Sequence, residues 1–368
     1  MPIYLDLHEM PDGVTAEHVA QMHQADLKIE HKFNCRGLTY WCDEKRHTAF
    51  CLIEAPNKQA LRDLHAQAHG DIPKRIIEVD GAIVESFLGR IEDPEKSKNT
   101  ELNIINDPAF RVLMVLETSN YLNRLEAHQF SIFTQKFHNN VSKTLKKFNG
   151  RIVKKDNNSY LVSFKSVTDS VLCALKIQFQ FKYVTPKFEP SSRRLNIALS
   201  SGIPVTNKED IFEETIILAT RMCDIVKEEL VITNEVKLLY ESENRNATID
   251  DKMVKILKPN DEKFLTQLID FVEQVWNKSD FNINNFSIAL GYSKSQLNRK
   301  LKNLTGQSPN NFLREFRLHK ALDLLHKQQG NISEIAYETG FNSPAYFSKC
   351  FVDKYGILPS KYIKQHVV

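Results

Sequence analysis

Three histidines near the N-terminus have a spacing that suits metal binding. His65 and His69 are four residues apart in a segment whose pattern predicts a helix, so both imidazoles lie on one helix face. His8 ends the first predicted strand, "PIYLDLH", at the sheet edge where that helix also ends. Imidazoles in this arrangement suit a borderline first-row transition metal such as nickel, zinc or copper. The alternative is that these histidines are solvated and that the sheet pairs with another sheet.

The elements that position these histidines follow the order strand, helix, strand, strand, helix, strand. The segments "GLTYWCD" and "TAFCLIEA" flank "EKRH" and predict a hairpin. Asn57 is expected to cap the second helix, and Gly70 ends it. This order over residues 1–90 predicts a ferredoxin-like βαββαβ domain. One face of its first strand carries Tyr4, Asp6 and His8.

The same residues resemble a small family of nickel-binding ferredoxin-like proteins. The shared stretches include "DLHEMP", "HQADL", "LTYWCDEKRHTAFCLIEAP", "HAQAHG" and "IIEVDG". The resemblance implies nickel, or another first-row transition metal, as a cofactor. We expect His8, His65 and His69 to bind it. Further candidates on the recurring polar positions of the family are His23, Asp26 and Cys51.

A second set of residues, near the C-terminus, has the pattern of a helix that enters a DNA groove. In "GFNSPAYFSKCF", Gly340 suits a tight turn, Ser343 an N-cap and Pro344 the first helical position. Phe347 and Phe351 are four residues apart and are expected to face inward. The opposite, polar face carries Tyr346 and Lys349.

The same arrangement occurs earlier in "FSIALGYSKSQLNRKLKNLTG", where Gly291 makes the turn and Ser293 the cap. A long helix over residues 310–326 is expected to join the two helix-turn-helix units. The predicted buried side of the first unit's first helix consists of Phe286, Ala289 and Leu290.

The tandem units resemble the DNA-binding domain of the AraC/XylS family of bacterial transcription regulators. The signature stretch is "ISEIAYETGFNSPAYFSKCFVDKYGILPSKYI". The resemblance implies that two recognition helices enter successive major-groove segments of double-stranded DNA. It implies base-facing positions at Ser295, Gln296, Asn298, Arg299, Pro344, Ala345, Tyr346 and Lys349, with Asn342 and Ser343 near the backbone. Arg299 is suited to a guanine edge, and Gln296 or Asn298 to an adenine.

Lysines around the recognition helices are expected to contact phosphates, which position a protein without specifying sequence. The candidates are Lys294, Lys300, Lys302 and Lys354. The alternative for each of these side chains is that it only solvates a helix face.

The middle of the chain resembles a class III nucleotide cyclase domain, most clearly in "SSGIPV" and "IFEETIILATRMC". Cyclisation needs two carboxylates that hold two metal ions. Alignment places the first at Leu116 or Glu117 and the second at Asn158, and the expected asparagine is Ile217. Of the transition-state pair only Arg221 remains. We therefore predict a degenerate domain without catalytic residues, which dimerises, binds a ligand or serves as a scaffold.

Composition and charge support three domains: 1–90, 109–258 after a polar linker at 91–108, and a tandem helix-turn-helix domain at 262–368. The fold class is multidomain α+β with an all-α C-terminal domain. Residues 1–90 carry 14 Asp/Glu against 10 Lys/Arg, whereas 262–368 carry 14 Lys/Arg against 9 Asp/Glu, which favours the C-terminal domain for nucleic acid.

The chain shows no signals of secretion or of membrane insertion. Six cysteines are scattered without a framework, as in a reduced cytoplasm. The N-terminus lacks a signal-peptide pattern, and no apolar run approaches the ~20 residues of a membrane span. We therefore expect a cytoplasmic, homodimeric transcription regulator that is not an enzyme and does not associate with a membrane. The alternatives are a metal-storage protein and a nucleotide cyclase with residual activity.

Overall fold

The computed structural model describes residues 1–94, 102–120, 127–184, 193–227, 229–245, 247–250, 252–281 and 283–366. The sequence also predicts a helix over residues 125–148. Its first two residues, the central part of the predicted linker and residues 367–368 lie outside this description. Within the described residues, none of the helices combines the length and the apolar character that crossing a membrane requires.

The N-terminal domain has the predicted order of elements. These are β1 (Ile3–Glu9), α1 (Ala16–Ile29), β2 (Arg36–Asp43), β3 (Thr48–Glu54), α2 (Lys58–Ala68) and β4 (Arg75–Val79). The strands form an antiparallel sheet in the order β2-β3-β1-β4, which is the ferredoxin-like topology. Asn57 caps α2 as predicted, because its side chain accepts hydrogen bonds from the N–H groups of Gln59 and Ala60.

Both faces of this sheet are covered. One face, with Tyr4, packs against Val19 of α1 and Leu61 of α2. The other packs against α3 (Gly81–Leu88) and against residues of the middle domain, so Leu5 shares a core with Phe212. Helix α3 was not predicted, because its apolar run is only eight residues long and directly follows a strand. Asp80 caps its N-terminus.

The middle domain is a six-stranded sheet with helices on both faces. Its elements are β5 (Arg111–Asn120), α4 (Ala127–Lys147), β6 (Arg151–Lys155), β7 (Ser159–Phe164), α5 (Val167–Val184), β8 (Arg193–Gly202), α6 (Glu213–Ile225), β9 (Leu230–Thr233), α7 (Asn234–Glu243) and β10 (Lys255–Leu257). The strand order is β10-β9-β8-β5-β7-β6, and β5 is antiparallel to both of its neighbours. Helices α4, α5 and α7 cover one face, and α6 packs on the other.

The C-terminal part is all helical. Its elements are α8 (Pro259–Val275), α9 (Ile283–Leu290), α10 (Lys294–Thr305), α11 (Pro309–His326), α12 (Ile332–Glu338), α13 (Pro344–Tyr355) and α14 (Pro359–His366). The two predicted turns form as expected: Gly291 and Gly340 have positive φ of 70° and 78°. Ser293 and Ser343 cap α10 and α13 through their side-chain oxygens.

The two helix-turn-helix units have separate cores. Phe286 and Leu297 of the first unit share a core with Phe264 of α8 and Met222 of α6, so this core extends into the middle domain. The second unit has a core of its own, whose largest side chains are Phe347 and Phe351.

One burial prediction for the first unit was wrong. Ala289 is exposed, because α9 packs through Phe286 and Leu290, four residues apart. Ala289 lies instead on the outer side with Ile288, which is 81% exposed.

Candidate metal centre and nucleic-acid interface

The end of β1 and the end of α2 bring three histidines together. The ring centroid of His8 lies 4.9 Å from that of His65 and 6.3 Å from that of His69. The rings of His65 and His69 are 5.1 Å apart, since one helical turn separates them. The structure thus places the three histidines as the sequence predicted.

A buried carboxylate that was not among the predicted ligands, that of Asp6, lies at the centre of this cluster. Its Oδ2 is 3.0 Å from His65 Nε2, and its Oδ1 is 3.4 Å from His8 Nε2. Asp6 Oδ1 also accepts a hydrogen bond from the backbone N–H of Cys51, on the adjacent strand β3. Asp6 shares a strand face with His8, so the two-residue period was the signal that could have identified it.

The cluster forms two potential ligand groups that share His65. The first consists of Asp6, His8, Cys51 and His65, and all four are buried. The second consists of Asp26, His65 and His69. In each group the ligand atoms lie within 4.8 Å of one another.

The candidate His23 belongs to neither group. Its ring lies beside that of Tyr40, with centroids 5.0 Å apart, and its Nε2 is 3.8 Å from Asp93. His23 and Asp26 are both on α1, but only Asp26 belongs to a ligand group. His8 has a further acidic neighbour that was not predicted, because His8 Nδ1 is 2.7 Å from Asp71 Oδ2.

The electrostatics of the cluster favour positive charge on the imidazoles of His8 and His65. Burial opposes the charged form of His8, but Asp6 and Asp71 together outweigh burial and raise the pKa of His8 to about 10. Burial likewise opposes protonation of His65, and Asp26 and Asp6 together raise the pKa of His65 to about 10. Burial raises the pKa of the Cys51 thiol well above its ordinary value. A metal ion bound here would therefore displace protons.

Two buried atoms test whether a metal fits this cluster. His8 Nε2 and Asp26 Oδ1 have no hydrogen-bond partner in the described residues. Asp26 Oδ1 is 3.2 Å from His65 Nδ1 and 3.3 Å from His69 Nε2, but without hydrogen-bond geometry. A buried polar atom without a partner is costly, and a metal bond would satisfy it. Imidazole, carboxylate and thiol donors fit nickel, zinc or copper, so the residues present fit the metal that the sequence implies.

The exposed face of α10 carries most of the predicted base-reading residues. Ser295, Asn298 and Arg299 are exposed, as is Lys302, and Leu297 on the opposite side is fully buried. Gln296 is exposed too, but it takes part in a capping box. Its Oε1 accepts a hydrogen bond of 3.0 Å from the backbone N–H of Ser293. Paired contacts of Gln296 with an adenine would require this cap to open.

Helix α13 has the same arrangement as α10. Tyr346 is 51% exposed, and Lys349, Ala345 and Asn342 are exposed as well. Pro344 is the first helical residue, and Ser343 Oγ accepts a hydrogen bond from the Tyr346 N–H. The predicted inward residues Phe347 and Phe351 are fully buried.

Two of the four predicted phosphate-binding lysines have partners within the protein. Lys300 Nζ lies 5.2 Å from the ring centroid of Phe264 and 5.3 Å from that of Tyr292, which are cation–π distances. Lys354 Nζ is 2.5 Å from Glu315 Oε2. Lys294 and Lys302 are exposed, as a phosphate contact requires.

The positions implied by the cyclase resemblance do not assemble a catalytic set. Leu116 is fully buried in the core, and Asn158 donates a hydrogen bond of 3.2 Å to Glu117. The guanidinium of Arg221 pairs with Asp270 of α8. Ile217 supplies no polar group. The likeness of this domain to cyclases stays a prediction.

Comparison with known proteins assigns both ends of the chain. Residues 286–365 match the family model of a helix-turn-helix domain, and residues 4–79 match that of the nickel responsive protein SCO4226-like family. The chain is 42% identical over 102 residues to histidine kinase P4 of Formosa agariphila, covering 28% of this chain and 7% of that protein. It is 34% identical over 101 residues to the HTH-type transcriptional regulator MtrA of Neisseria gonorrhoeae, covering 27% of this chain and 32% of that protein.

A solved structure with similarity to the N-terminal end is that of SCO4226 from Streptomyces coelicolor. It is 34% identical, with 21% of this chain and 94% of that chain covered and a TM-score of 0.20. The chain spans about a third or less of the length of the curated relatives it matches first. The chain therefore carries an AraC-type helix-turn-helix domain at its C-terminal end and an SCO4226-like domain at its N-terminal end.

Proposed function

We propose that the chain is a sequence-specific DNA-binding transcription regulator that responds to a transition metal, such as nickel, held by its N-terminal domain. The observation that supports it best is the pair of helices α10 and α13. Each has a buried apolar back and an exposed polar face, and each follows a glycine turn in a region that matches the helix-turn-helix family. The two helices would enter successive major-groove segments of double-stranded DNA.

The exposed residues divide into two roles. Arg299 and Asn298 on α10, with Tyr346 and Lys349 on α13, would contact base edges, since their side chains reach away from the protein. Lys294 and Lys302 would contact phosphates, while Lys300 and Lys354 are held within the protein.

The N-terminal domain would hold the metal in one of the two ligand groups that share His65. Asp6 and His8 come from β1, Cys51 from β3, Asp26 from α1, and His65 and His69 from the end of α2 and its C-cap. The metal would bind imidazole nitrogens and carboxylate oxygens that, without it, lie next to one another as proton donors and acceptors. Bonds to the first group would join α2 to strands β1 and β3, and bonds to the second would join α1 to α2.

The roles of Arg299 and Lys302 lead to different expected losses. Arg299→Ala is expected to cost about 1–3 kcal/mol at a DNA site selected by the protein and to relax the preference at one base position, because paired contacts with a guanine are lost. Lys302→Ala is expected to weaken binding to all sequences alike and to reduce the salt dependence by about one phosphate contact. Fluorescence anisotropy with selected and scrambled duplexes at several salt concentrations measures both. Unchanged specific binding in both variants would contradict this docking.

The purified protein is expected to form no cyclic nucleotide from ATP or GTP with magnesium or manganese. The reason is that Asn158 offers no charge for a metal and Arg221 is paired with Asp270. Chromatography of the reaction mixture would detect a product. Turnover that disappears in Arg221→Ala would support the residual-cyclase alternative instead.

A further inference from the structure

The two helix-turn-helix units meet through α11. Phe312 and Leu313, in its first half, belong to the core of the first unit. Leu318, Ala321 and Leu325, in its second half, belong to the core of the second unit. The separation and the relative rotation of the two recognition helices therefore depend on what holds the middle of α11.

A single carboxylate in the middle of α11 contacts one residue at the C-terminal end of each recognition helix. Glu315 Oε2 accepts a hydrogen bond of 2.9 Å from Gln307 Nε2, just after α10 ends. The same oxygen is 2.5 Å from Lys354 Nζ, near the end of α13. The side chains of Lys354 and Glu315 are only 28% and 31% exposed, so solvent screens this ion pair only in part.

Two residues after Glu315, Arg317 connects α11 to the residues that directly follow α8. Its Nε donates a hydrogen bond of 2.6 Å to the carbonyl oxygen of Trp276, and its Nη2 donates one of 2.6 Å to that of Lys278. The turn of the second unit packs against the hydrogen-bonded pair of Arg317 and Trp276. A Cβ added to Gly340 would lie 2.9 Å from both Arg317 Nε and the Trp276 oxygen. Burial lowers the pKa of Arg317 below its ordinary value, but these carbonyl oxygens provide acceptors for its donors.

We propose that this polar joint, formed by Gln307, Glu315, Arg317 and Lys354 with the carbonyl groups of Trp276 and Lys278, sets the spacing between the two DNA half-sites that the chain can bind at once. The inference rests on the proposed DNA-binding function and adds a specificity determinant to it. Two linked binding modules reinforce each other only when their separation matches that of their targets. Because the joint fixes the distance between the two recognition helices, the chain would bind tightly only to DNA whose half-sites have one particular spacing.

Glu315 and Lys354 are positioning residues in this account, because each acts through the recognition helices that it holds. Lys354 therefore has a different role from a phosphate-binding lysine. Loss of a phosphate contact lowers the affinity for one half-site as much as for two. Loss of the joint lowers the advantage of two correctly spaced half-sites and leaves the single half-site unchanged.

The test uses the full chain and duplexes selected by it from a random DNA library. Each selected duplex is compared with one that carries five additional base pairs, about half a helical turn, between its half-sites, and with one that keeps a single half-site. The unmodified protein is expected to lose about 100-fold in affinity or more on the lengthened duplex, because simultaneous binding is lost.

Glu315→Lys places like charges together at the joint. The affinity of this variant for the selected duplex is expected to exceed its affinity for the lengthened duplex by only about tenfold or less. We call this quotient of affinities the spacing ratio. The affinity for the single half-site is expected to stay within about twofold. Lys354→Glu is expected to act in the same way. The double variant Glu315→Lys/Lys354→Glu restores opposite charges. Its new ammonium group can donate to Gln307 Oε1, which is buried and has no hydrogen-bond partner among the residues that the structure describes. It is expected to recover the original ratio.

Asp323→Lys is the matched control, since Asp323 is an exposed acid on the same helix and the charge change is identical. It should leave the spacing ratio unchanged. Glu315→Gln, which keeps the shape of the side chain, should shift the ratio in the same direction but less, so that misfolding of a charge-reversed variant does not decide the result.

A wild-type spacing ratio in both Glu315 variants, or a double variant that fails to recover it, would overturn the proposal. An equal loss on single and paired half-sites in Lys354→Glu would make Lys354 a phosphate contact and overturn it as well. Failure of the unmodified protein to enrich any sequence would remove the proposed function, and this inference with it.

Discussion

Replacing His65 with alanine is expected to abolish binding of nickel by the full chain, with a loss in affinity of more than about 100-fold, since even residues that only orient metal ligands cost 10–100-fold. His65 is the residue that the two ligand groups share, through its two ring nitrogens. Without it, neither Asp6 with His8 and Cys51 nor Asp26 with His69 retains a complete set. Calorimetric titration with nickel measures the effect.

Further variants show which group binds the metal. His8→Ala removes a ligand from the first group only, and His69→Ala removes one from the second only. The variant that matches His65→Ala in affinity identifies the group in use. His31→Ala serves as the control, because His31 is exposed and belongs to neither group. A folded His65→Ala protein that keeps its nickel affinity would rule out both ligand groups.

The same substitution has a cost in the metal-free protein. Asp6 is fully buried, and His65 is one of the groups that keep its pKa low. Removing one partner of a buried charge pair typically costs about 3–5 kcal/mol. Circular dichroism and thermal unfolding of His65→Ala without metal are therefore needed beside the titration. His69→Ala leaves Asp6 with both of its imidazole partners and should cost less.

Gly340→Ala is expected to destabilise the second helix-turn-helix unit by about 2–5 kcal/mol, from backbone strain at positive φ and from overpacking. Gly340 has φ of 78°, and an added Cβ would lie 2.9 Å from the Trp276 carbonyl oxygen and from Arg317. Both neighbours are held by their mutual hydrogen bond, so neither can move without breaking it. Amide hydrogen exchange of α12 and α13 measures the local loss of stability.

The equivalent turn of the first unit provides a matched control. Gly291 has a similar φ of 70°, but an added Cβ there would meet no atom of the described part of the chain within 4 Å. Gly291→Ala is therefore expected to cost only the strain, about 1–2 kcal/mol. Equal losses for the two substitutions would mean that the contact with α8 contributes nothing to the second unit.

The sequence predicted which histidines of the metal centre lie close together, but it did not predict the role of Asp6 between them. The proximity of His8 and His69 followed from the topology alone, since β1 and α2 end at the same edge of the sheet and each carries a histidine at that end. The central position of Asp6 was missed, because a carboxylate on a strand face is usually solvated, and one of its imidazole partners, His65, is 59 residues further along the chain.

The partners of charged side chains in the DNA-binding domain were also beyond a sequence-based prediction. Lys354 and Glu315 are 39 residues apart, and only the packed helices bring them together. The cap formed by Gln296, in contrast, follows the capping-box pattern of a serine with a glutamine three residues later and was open to prediction. The short strands β9 and β10 were missed because an element of three or four residues is too short to show a period of apolar residues.

The core shared by α6, α8 and the first unit constrains how such a protein can arise by recombination. The segment that matches the helix-turn-helix family begins at residue 286, after α8 has ended at Val275. Phe264 and Leu268 of α8 nevertheless lie in one core with Leu297 of α10 and Met222 of α6. A gene fusion that transferred only the matched segment would leave an apolar surface open on both fragments. A functional fusion must therefore include helix α8 together with the recognition helices. The domain to which they are fused must also present an apolar surface that fits the side of α8 facing away from α10.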